Sequence, residues 1–570
     1  MEITLLTRFV GLFSFCIVMK STSTFAADNA GREFVFAFPP NTELQEPNNL
    51  RLLIHPTEQT TQTLMNVTVT FRGTSNSLLL DLFSPPYVVS LPSDLALTKI
   101  SGLTNSTVVV QTDQDIILVA ANFETRSMDT FVVLPTTYLG KEYFVATTPQ
   151  PNSWTILISA SSEPVTVEVA VKYHLTFLGK DYKSGDIIKV SLSPFETMQL
   201  EPFVNENSVT RIIANASVSV TAGCTCATVP SVAVGGCDII AEHLAPFDRW
   251  GQSFVLSPFV NRQSGYMYQV ISGRNNTRVW IGGDVLILHM GEYYTRIVTR
   301  QEMTSVTSNH LIMVLQYSMG TEYDRRPGDP SLLMVPHMDQ FKYFAEFPII
   351  DFSSAAINNV YLSVTTDCNA TSEILLNNNT ISQISWLEEY SVETWNHRNI
   401  CTVWMAVEGG GYVLRSRDSG DANSPVATFM SLVYGTGHRI SFMYTAGNFF
   451  DELTCSDTGD TITGNGQEVH PCQRLQSPSI TVRINPISHE VGKSERVELT
   501  CAFNNALYFE WQKDGAPIQM TAMQRTYVIE AVSVADVGYY RCVGRGILND
   551  TAATVPAAVA IIGNSSFYTS

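Results

Sequence analysis

The sequence predicts an all-β chain of tandem β-sandwich modules. Three observations predict it. Apolar residues fall in short runs that alternate with period two, as in Asn66–Phe71, Ser106–Val110, Val165–Val171 and Ser217–Val220, the pattern of a half-buried strand. Val, Ile, Thr, Tyr and Phe dominate these runs, and Gly, Pro, Asn and Ser punctuate them. A chain of 570 residues also exceeds what one core supports, so three to five domains are expected. No amphipathic helical stretch of convincing length stands out. The best short-helix candidate is Cys237–Leu244.

Residues 1–26 read as a signal peptide. Arg8 gives a positive start, Phe9–Met19 the apolar core, and Ser21–Ala26 a small-residue cleavage region. The apolar core is shorter than the roughly 20 residues a membrane span needs. Mean hydropathy is +0.07, yet the apolar content lies in strand-like runs. The stretch Val555–Ile562 is short and leads into a polar tail, residues 563–570. The mature chain is therefore expected to be secreted and extracellular, without a membrane span. Eight N-x-S/T sequons, at Asn66, Asn105, Asn215, Asn275, Asn369, Asn378, Asn549 and Asn564, agree with a glycoprotein.

A net charge of −19 with unclustered Lys and Arg argues against a nucleic-acid partner, because phosphate binding needs clustered cations.

Residues 27–450 carry a loose repeat. Gly31-Arg-Glu-Phe-Val-Phe-Ala-Phe38 echoes Gly140-Lys-Glu-Tyr-Phe-Val-Ala-Thr147, and Trp250-Gly-Gln-Ser-Phe-Val-Leu-Ser257 echoes both. The glycines are 109 and 111 residues apart, and Phe341–Phe347 is a fourth copy with Gln340 in the glycine's place. An acidic residue and an apolar-proline step precede each later copy: Asp129 with Leu134-Pro135, Asp238 with Ala245-Pro246, and Asp329 with Val335-Pro336. Repeats near 100 residues suit small β-sandwiches. Four modules with boundaries near 140, 250 and 340 follow, joined end to end as a stiff rod. A disulfide-containing linker, 451–477, leads to the last module.

Residues 478–562 carry the strongest local pattern. Cys501 is followed by Trp511, then by Asp536-Val-Gly538-Tyr-Tyr540-Arg-Cys542. This resembles the immunoglobulin superfamily, in which the two cysteines bridge the sheets. Trp511 would pack on that bridge, and Tyr540 would take the tyrosine-corner place. The spacing of 41 between the cysteines suggests an intermediate or constant-like set.

Residues 31 to about 450 resemble the N-terminal domain of the IgG Fc-binding protein family, extracellular proteins best known from mucus. The blocks carrying the resemblance are Gly31–Phe34, Gly140–Tyr143, and Gly223-x-x-Cys226 with Gly236-Cys237-Asp238 and Trp250-Gly251. They continue with Gly328-Asp329-Pro330-Ser331, Val335-Pro336 and Gln340, and close with Tyr434-Gly435 and Tyr444-x-Ala446-Gly447. In the mucus proteins this domain precedes cysteine-dense assemblies. Nine cysteines remain here once Cys16 leaves with the signal, so gel formation is not implied. No Fc-contact residue is carried over.

Proximity pairs Cys226 with Cys237, Cys368 with Cys401 and Cys455 with Cys472, beside Cys501–Cys542. Cys224 is left over. It either bridges to a second chain, giving a disulfide-linked homodimer, or stays a buried thiol.

The chemistries weighed and set aside are these. Cys224-Thr225-Cys226 with Cys237 and His243 lacks the usual zinc spacing, and export favours disulfides. Gly328-Asp329-Pro330 lacks the histidine of self-cleaving Gly-Asp-Pro-His sites, with Ser331 next and His337 further on, and reads as a turn. Glu388 and Glu389 point to opposite strand faces, so they and Asp367 do not make a glycosidase pair. Gly409-Gly410-Gly411 reads as a hairpin and not a phosphate loop. There is no H-E-x-x-H or G-x-S-x-G motif. Tyr293-Tyr294, Trp386, Trp395 and Trp404 would line a ligand site or fill the core.

The function expected is a non-enzymatic recognition or adhesion glycoprotein, without cofactor or metal. It would bind an extracellular protein or glycan in a setting such as mucosal or innate defence. The alternative is a structural mucus or matrix component cross-linked through Cys224.

Overall fold

The computed structural model describes residues 30–41, 50–57, 64–81, 86–96, 100–124, 126–148, 154–203, 208–231, 233, 236–349, 357–394, 397–417, 427–447, 463–464, 467–468, 481–484, 486–504, 508–522, 526–545 and 551–561. Residues 1–26, the tail 563–570, Trp395, Asn549, Asn564 and the pair Cys455–Cys472 lie outside the described residues.

The described chain is all-β: tandem β-sandwich modules followed by an Ig-like sandwich. Each of the first three modules is built on one long strand, Val108–Glu124, Ser208–Ala227 or Thr304–Ser318. These runs of 17, 20 and 15 residues are far longer than the alternating segments visible in the sequence. The reason lies midway along each, where the strand turns a corner between the two sheets of its sandwich. In module one the first half pairs with the opening strand Gly31–Phe36 and the third strand Leu64–Phe71. The second half pairs with the second strand Leu50–Pro56 and the closing strand Ser127–Val132. Pairing with the opening strand shifts register at the corner in all three modules, which is how a strand passes from one sheet to another. A polar residue fixes each corner by accepting from a third-strand amide: Asp113 from Asn66 N at 3.1 Å, Asn215 from Thr166 N at 2.8 Å, and Asn309 from Arg278 N at 2.7 Å.

The fourth module keeps this plan with its long strand in two pieces. Gly410–Ser416 pairs with Phe344–Ile349 and Ile374–Leu376, while Phe429–Gly437 pairs with Ile357–Asp367 and the closing strand Ile440–Thr445. The preceding strand, Asn399–Val407, belongs to the second of these sheets. Gly409–Gly411 is therefore not a hairpin. It carries the chain from one sheet to the other.

The candidate helix Cys237–Leu244 is also corrected. Asp238–His243 is the closing strand of module two, buried at every position and paired with the long strand. Its apolar run is that of a strand buried on both faces, which periodicity cannot distinguish from a buried helix.

The repeat-opening glycines have a steric cause. A Cβ on Gly31 would lie 2.2 Å from Pro135 Cβ, one on Gly140 2.5 Å from Pro246 Cβ, and one on Gly251 2.1 Å from His337 Cγ. Each glycine thus lets the step after its own module's closing strand lie against the module's first strand. The third partner is His337 rather than Pro336. The amides of Val133, Leu244 and Val335 make equivalent bonds to the long strands, which aligns Pro135 and Pro246 with His337. By the same register Asp329 aligns with Asp238 and Ser127, and Asp129 stands two residues further on. In the fourth copy Lys342, which bridges to Phe429, takes the glycine's place instead of Gln340.

The modules do not form a rod. They close into a ring. Ala37 of module one packs on Leu157 of module two. Tyr317 and Met313 of module three share a core with Trp154 and Trp250. Trp404 and Tyr434 of module four share one with Phe254 and Tyr268 of module three. Leu53, Val119 and Met128 of module one then join Phe347, Val433 and Phe442 of module four. A strand-like segment of module one, Gly102–Thr104, adds to the edge of module two at Thr197–Leu200. It is pinned there by a buried hydroxyl chain through Thr107, Thr197 and Ser159, each step 2.7 Å.

The C-terminal module is an Ig-like sandwich. Tyr508–Lys513 pairs with Gly538–Arg545, setting Trp511 opposite Cys542. His489–Val491 runs parallel to Ala557–Ile561. Cys501, Trp511 and Cys542 are fully buried, and the Tyr540 hydroxyl donates to Asp536 O at 2.7 Å, which makes the tyrosine corner.

Candidate functional site

The four closing strands, Ser127–Val132, Asp238–His243, Leu332–Met334 and Ile440–Thr445, meet around the ring's axis. They are joined by side chains rather than by backbone ladders. Asp129 accepts from Ala241 N at 2.9 Å, and Asp238 accepts from Met128 N at 2.8 Å and from Ser441 N at 3.3 Å. Glu242 accepts from Met334 N at 2.9 Å. Thr130 donates to Met443 O at 3.3 Å, and the Ser441 hydroxyl bonds to Ser331 at 2.8 Å and to Asp329 O. The carboxyls of Asp129, Asp238 and Glu242, and that of Asp329 beside them, are buried. Burial holds Asp129 and Asp238 well above the ordinary carboxylate range, Asp238 further so because Asp329 and Asp129 are near. Burial pushes Glu242 up to about 8. The carboxyls of Asp129, Asp238 and Glu242 and the hydroxyls of Thr130 and Ser441 fasten modules together, a role of which the sequence gave no local sign.

The candidate chemistries of the sequence resolve around this axis. His243 is buried and pushed down to about 3 by desolvation. Its Nδ1 accepts from Leu134 N at 2.9 Å and its Nε2 bonds to Ser219 at 2.9 Å, so neither nitrogen is turned to a metal. Cys226 and Cys237 form a disulfide, as do Cys368 with Cys401 and Cys501 with Cys542. Among the described residues no group of three or more His, Cys, Asp or Glu is placed to hold a metal ion. Cys224 is fully buried in the core that modules two and three share, out of reach of a second chain unless that core opens.

Asp329 holds a tight turn, accepting from Thr321 N at 3.0 Å beside Gly328 at φ 109°. Glu388 accepts from Asn261 N at 2.9 Å, while Glu389 is exposed on the other face. Asp367 accepts from Asn369 N at 3.2 Å. Trp404 is core, its Nε1 donating to Pro258 O at 3.1 Å, and Trp386 packs partly buried on the fourth module. The sequon residues Asn66, Asn105, Asn215, Asn275, Asn369 and Asn378 are all exposed.

One surface differs between modules. The fifth strand of each sandwich lies at a sheet edge. In module two Gly102–Thr104 covers it, and in module four Glu388–Glu393 covers its counterpart Asn399–Val407. In modules one and three the fifth strands, Tyr87–Leu91 and Tyr293–Val298, end their sheets, and no further strand pairs with either among the described residues; of the two, only Tyr293–Val298 carries a cationic side chain, Arg296. Tyr293 and Tyr294 are half-buried on this edge. The sequence marked them as aromatics without showing that they sit on an open edge. No helix among the described residues is long and apolar enough to cross a membrane.

Four fused β-sandwiches, closed on one another and carrying the disulfides Cys226–Cys237 and Cys368–Cys401, form the body of the chain. The model of the IgGFc binding protein family matches residues 129–435, more than half of the chain, and the chain belongs to that family. Among curated proteins it is similar to the human IgGFc-binding protein, 26% identical over 243 residues, which is 41% of this chain and 4% of that one. The chain thus spans a small fraction of that relative's length. Solved structures that resemble it include Sidekick-1 immunoglobulin domains 1–5 (8% identity, 93% of this chain and 99% of that one, TM-score 0.17). The four N-terminal Ig domains of Dscam1 isoform 6.9 match at 11% identity over 74% of this chain and all of that one, with a TM-score of 0.16. Scores this low say nothing about how modules are arranged.

Proposed function

We propose that the chain is a secreted, non-enzymatic recognition glycoprotein that binds an extracellular protein or glycan, in mucosal or innate defence. The observation that carries this reading is the ring itself. The acidic and hydroxyl side chains gathered at its axis are engaged in module-to-module bonds, so the rim and the Ig-like module are the surfaces left to meet a partner. Six exposed sequon residues fit N-glycosylation at Asn66, Asn105, Asn215, Asn275, Asn369 and Asn378, with Asn549 and Asn564 as further sites. Residues 1–26 serve as the export signal, 451–477 as the linker and 478–562 as the Ig-like unit. The relative's name supplies a first ligand to try, the Fc of IgG.

The test is affinity capture from native fluid on the immobilised secreted chain, with IgG Fc run in parallel. A reproducible ligand, lost on denaturing the chain, supports the reading, and consistent recovery of nothing above background overturns it. Non-reducing gels after N-glycan removal should show a monomer. A reducible dimer that disappears in Cys224→Ala would instead favour the cross-linked matrix component.

A further inference from the structure

The open edge of module three can be read atom by atom. Ser272 N donates to Glu292 O at 3.0 Å, and the strands then run antiparallel with Val270 opposite Tyr294 and Tyr268 opposite Arg296. In such a ladder hydrogen-bonded and non-hydrogen-bonded pairs alternate. The backbones of Tyr294 and Arg296 therefore turn inward to Tyr266–Ser272, and those of Thr295 and Ile297 turn outward along the edge. Ile297 is 42% exposed. The Arg296 guanidinium lies beside Tyr268 and Tyr294, with Asp284 the carboxylate in range, and it is half-buried.

We propose that the strand Tyr293–Val298 is a docking edge for an extended acidic peptide segment of a partner protein, which adds as a further strand and sets a carboxylate beside Arg296. Two observations fix the occupant. The same edge is filled by an extended segment in modules two and four, so the sandwich has room for one. The filler in module four, Glu388–Glu393, is acidic, with Glu389, Ser391 and Glu393 on one face. A copy of it laid on module three in the same register sets Glu389 opposite Tyr294 and diagonal to Arg296 on the same face, within reach of a long side chain. Backbone bonds supply affinity in such strand addition, and alternate side chains supply selectivity. The inference rests on the recognition reading and can fail without it.

The test uses the full secreted chain and a labelled synthetic peptide with the sequence of residues 387–394, Leu-Glu-Glu-Tyr-Ser-Val-Glu-Thr, read by fluorescence anisotropy against a scrambled control. Binding should weaken about tenfold in Thr295→Pro, which removes an outward donor where proline is tolerated at an edge. It should weaken about fivefold in Arg296→Glu, a reversal of one desolvating charge pair. Should Thr295→Pro fail to fold, Arg296→Glu at a half-buried position carries the test alone. No binding above the scrambled control, or binding unchanged in both variants, overturns the proposal. A chain dimer that dissociates in Thr295→Pro assigns the edge to a second copy and also overturns it. If both variants still capture ligand from native fluid at full strength, recognition stands and this edge is not its site.

Discussion

The contacts that organise the molecule come down to a few residues whose neighbours leave them little choice. Gly140 is one, because the proline ring of Pro246 cannot swing away from an added methyl. Gly140→Ala should cost about 1–3 kcal/mol, read as a lowered urea midpoint with an unchanged slope. Glu242 is another. Its folded-state pKa of about 8 stands above the ordinary 4.5, so the folded chain holds a proton that the unfolded chain releases. The stability this contributes is fully present below about 4.5 and is lost as pH rises through about 8. The loss is on the order of 5 kcal/mol for so large a shift. Melting temperature should fall between pH 6 and pH 9, and Glu242→Gln should flatten that fall. Cys501, Trp511, Tyr540 and Cys542 were legible in the sequence because the immunoglobulin pattern is written within 42 consecutive residues. Glu242 was not, since its acceptor bond to Met334 reaches across 92 residues.

At the scale of elements, the sequence shows strands where one face is wet and misreads them where both are dry. Val165–Ala170 alternates buried and half-buried positions and is plain in the sequence. Asp238–His243 is buried throughout and reads equally well as a helix. The long strands are hidden for a related reason, since the alternation restarts at the corner where the strand changes sheets. Amide hydrogen exchange should separate these elements. Thr221–Cys224, flanked by Trp154–Thr155–Ile156–Leu157 and by Ile240–His243, should exchange only by global opening. Thr295 and Ile297, on the open edge, should exchange orders of magnitude faster than Tyr294 and Arg296, which alternate with them.

For the whole molecule, the repeat was legible and its closure was not. Spaced glycines announce modules, but the bonds that join the first to the fourth, such as Thr130 to Met443, span 313 residues and leave no local trace. Small-angle scattering on residues 27–450 distinguishes the ring from the rod. A closed body of this size should have a radius of gyration of about 22 Å, whereas four sandwiches in line would give roughly twice that.

Closure also bears on how such a chain can change over generations. An open string of modules gains or sheds one by a single duplication or deletion and keeps every other contact. Here each module is wedged between two neighbours, and removing one would leave two buried faces bare while adding one would break the circle. The copy number is thereby frozen at four, and inherited variation is channelled to the rim, its edges and whatever is appended after the last closing strand.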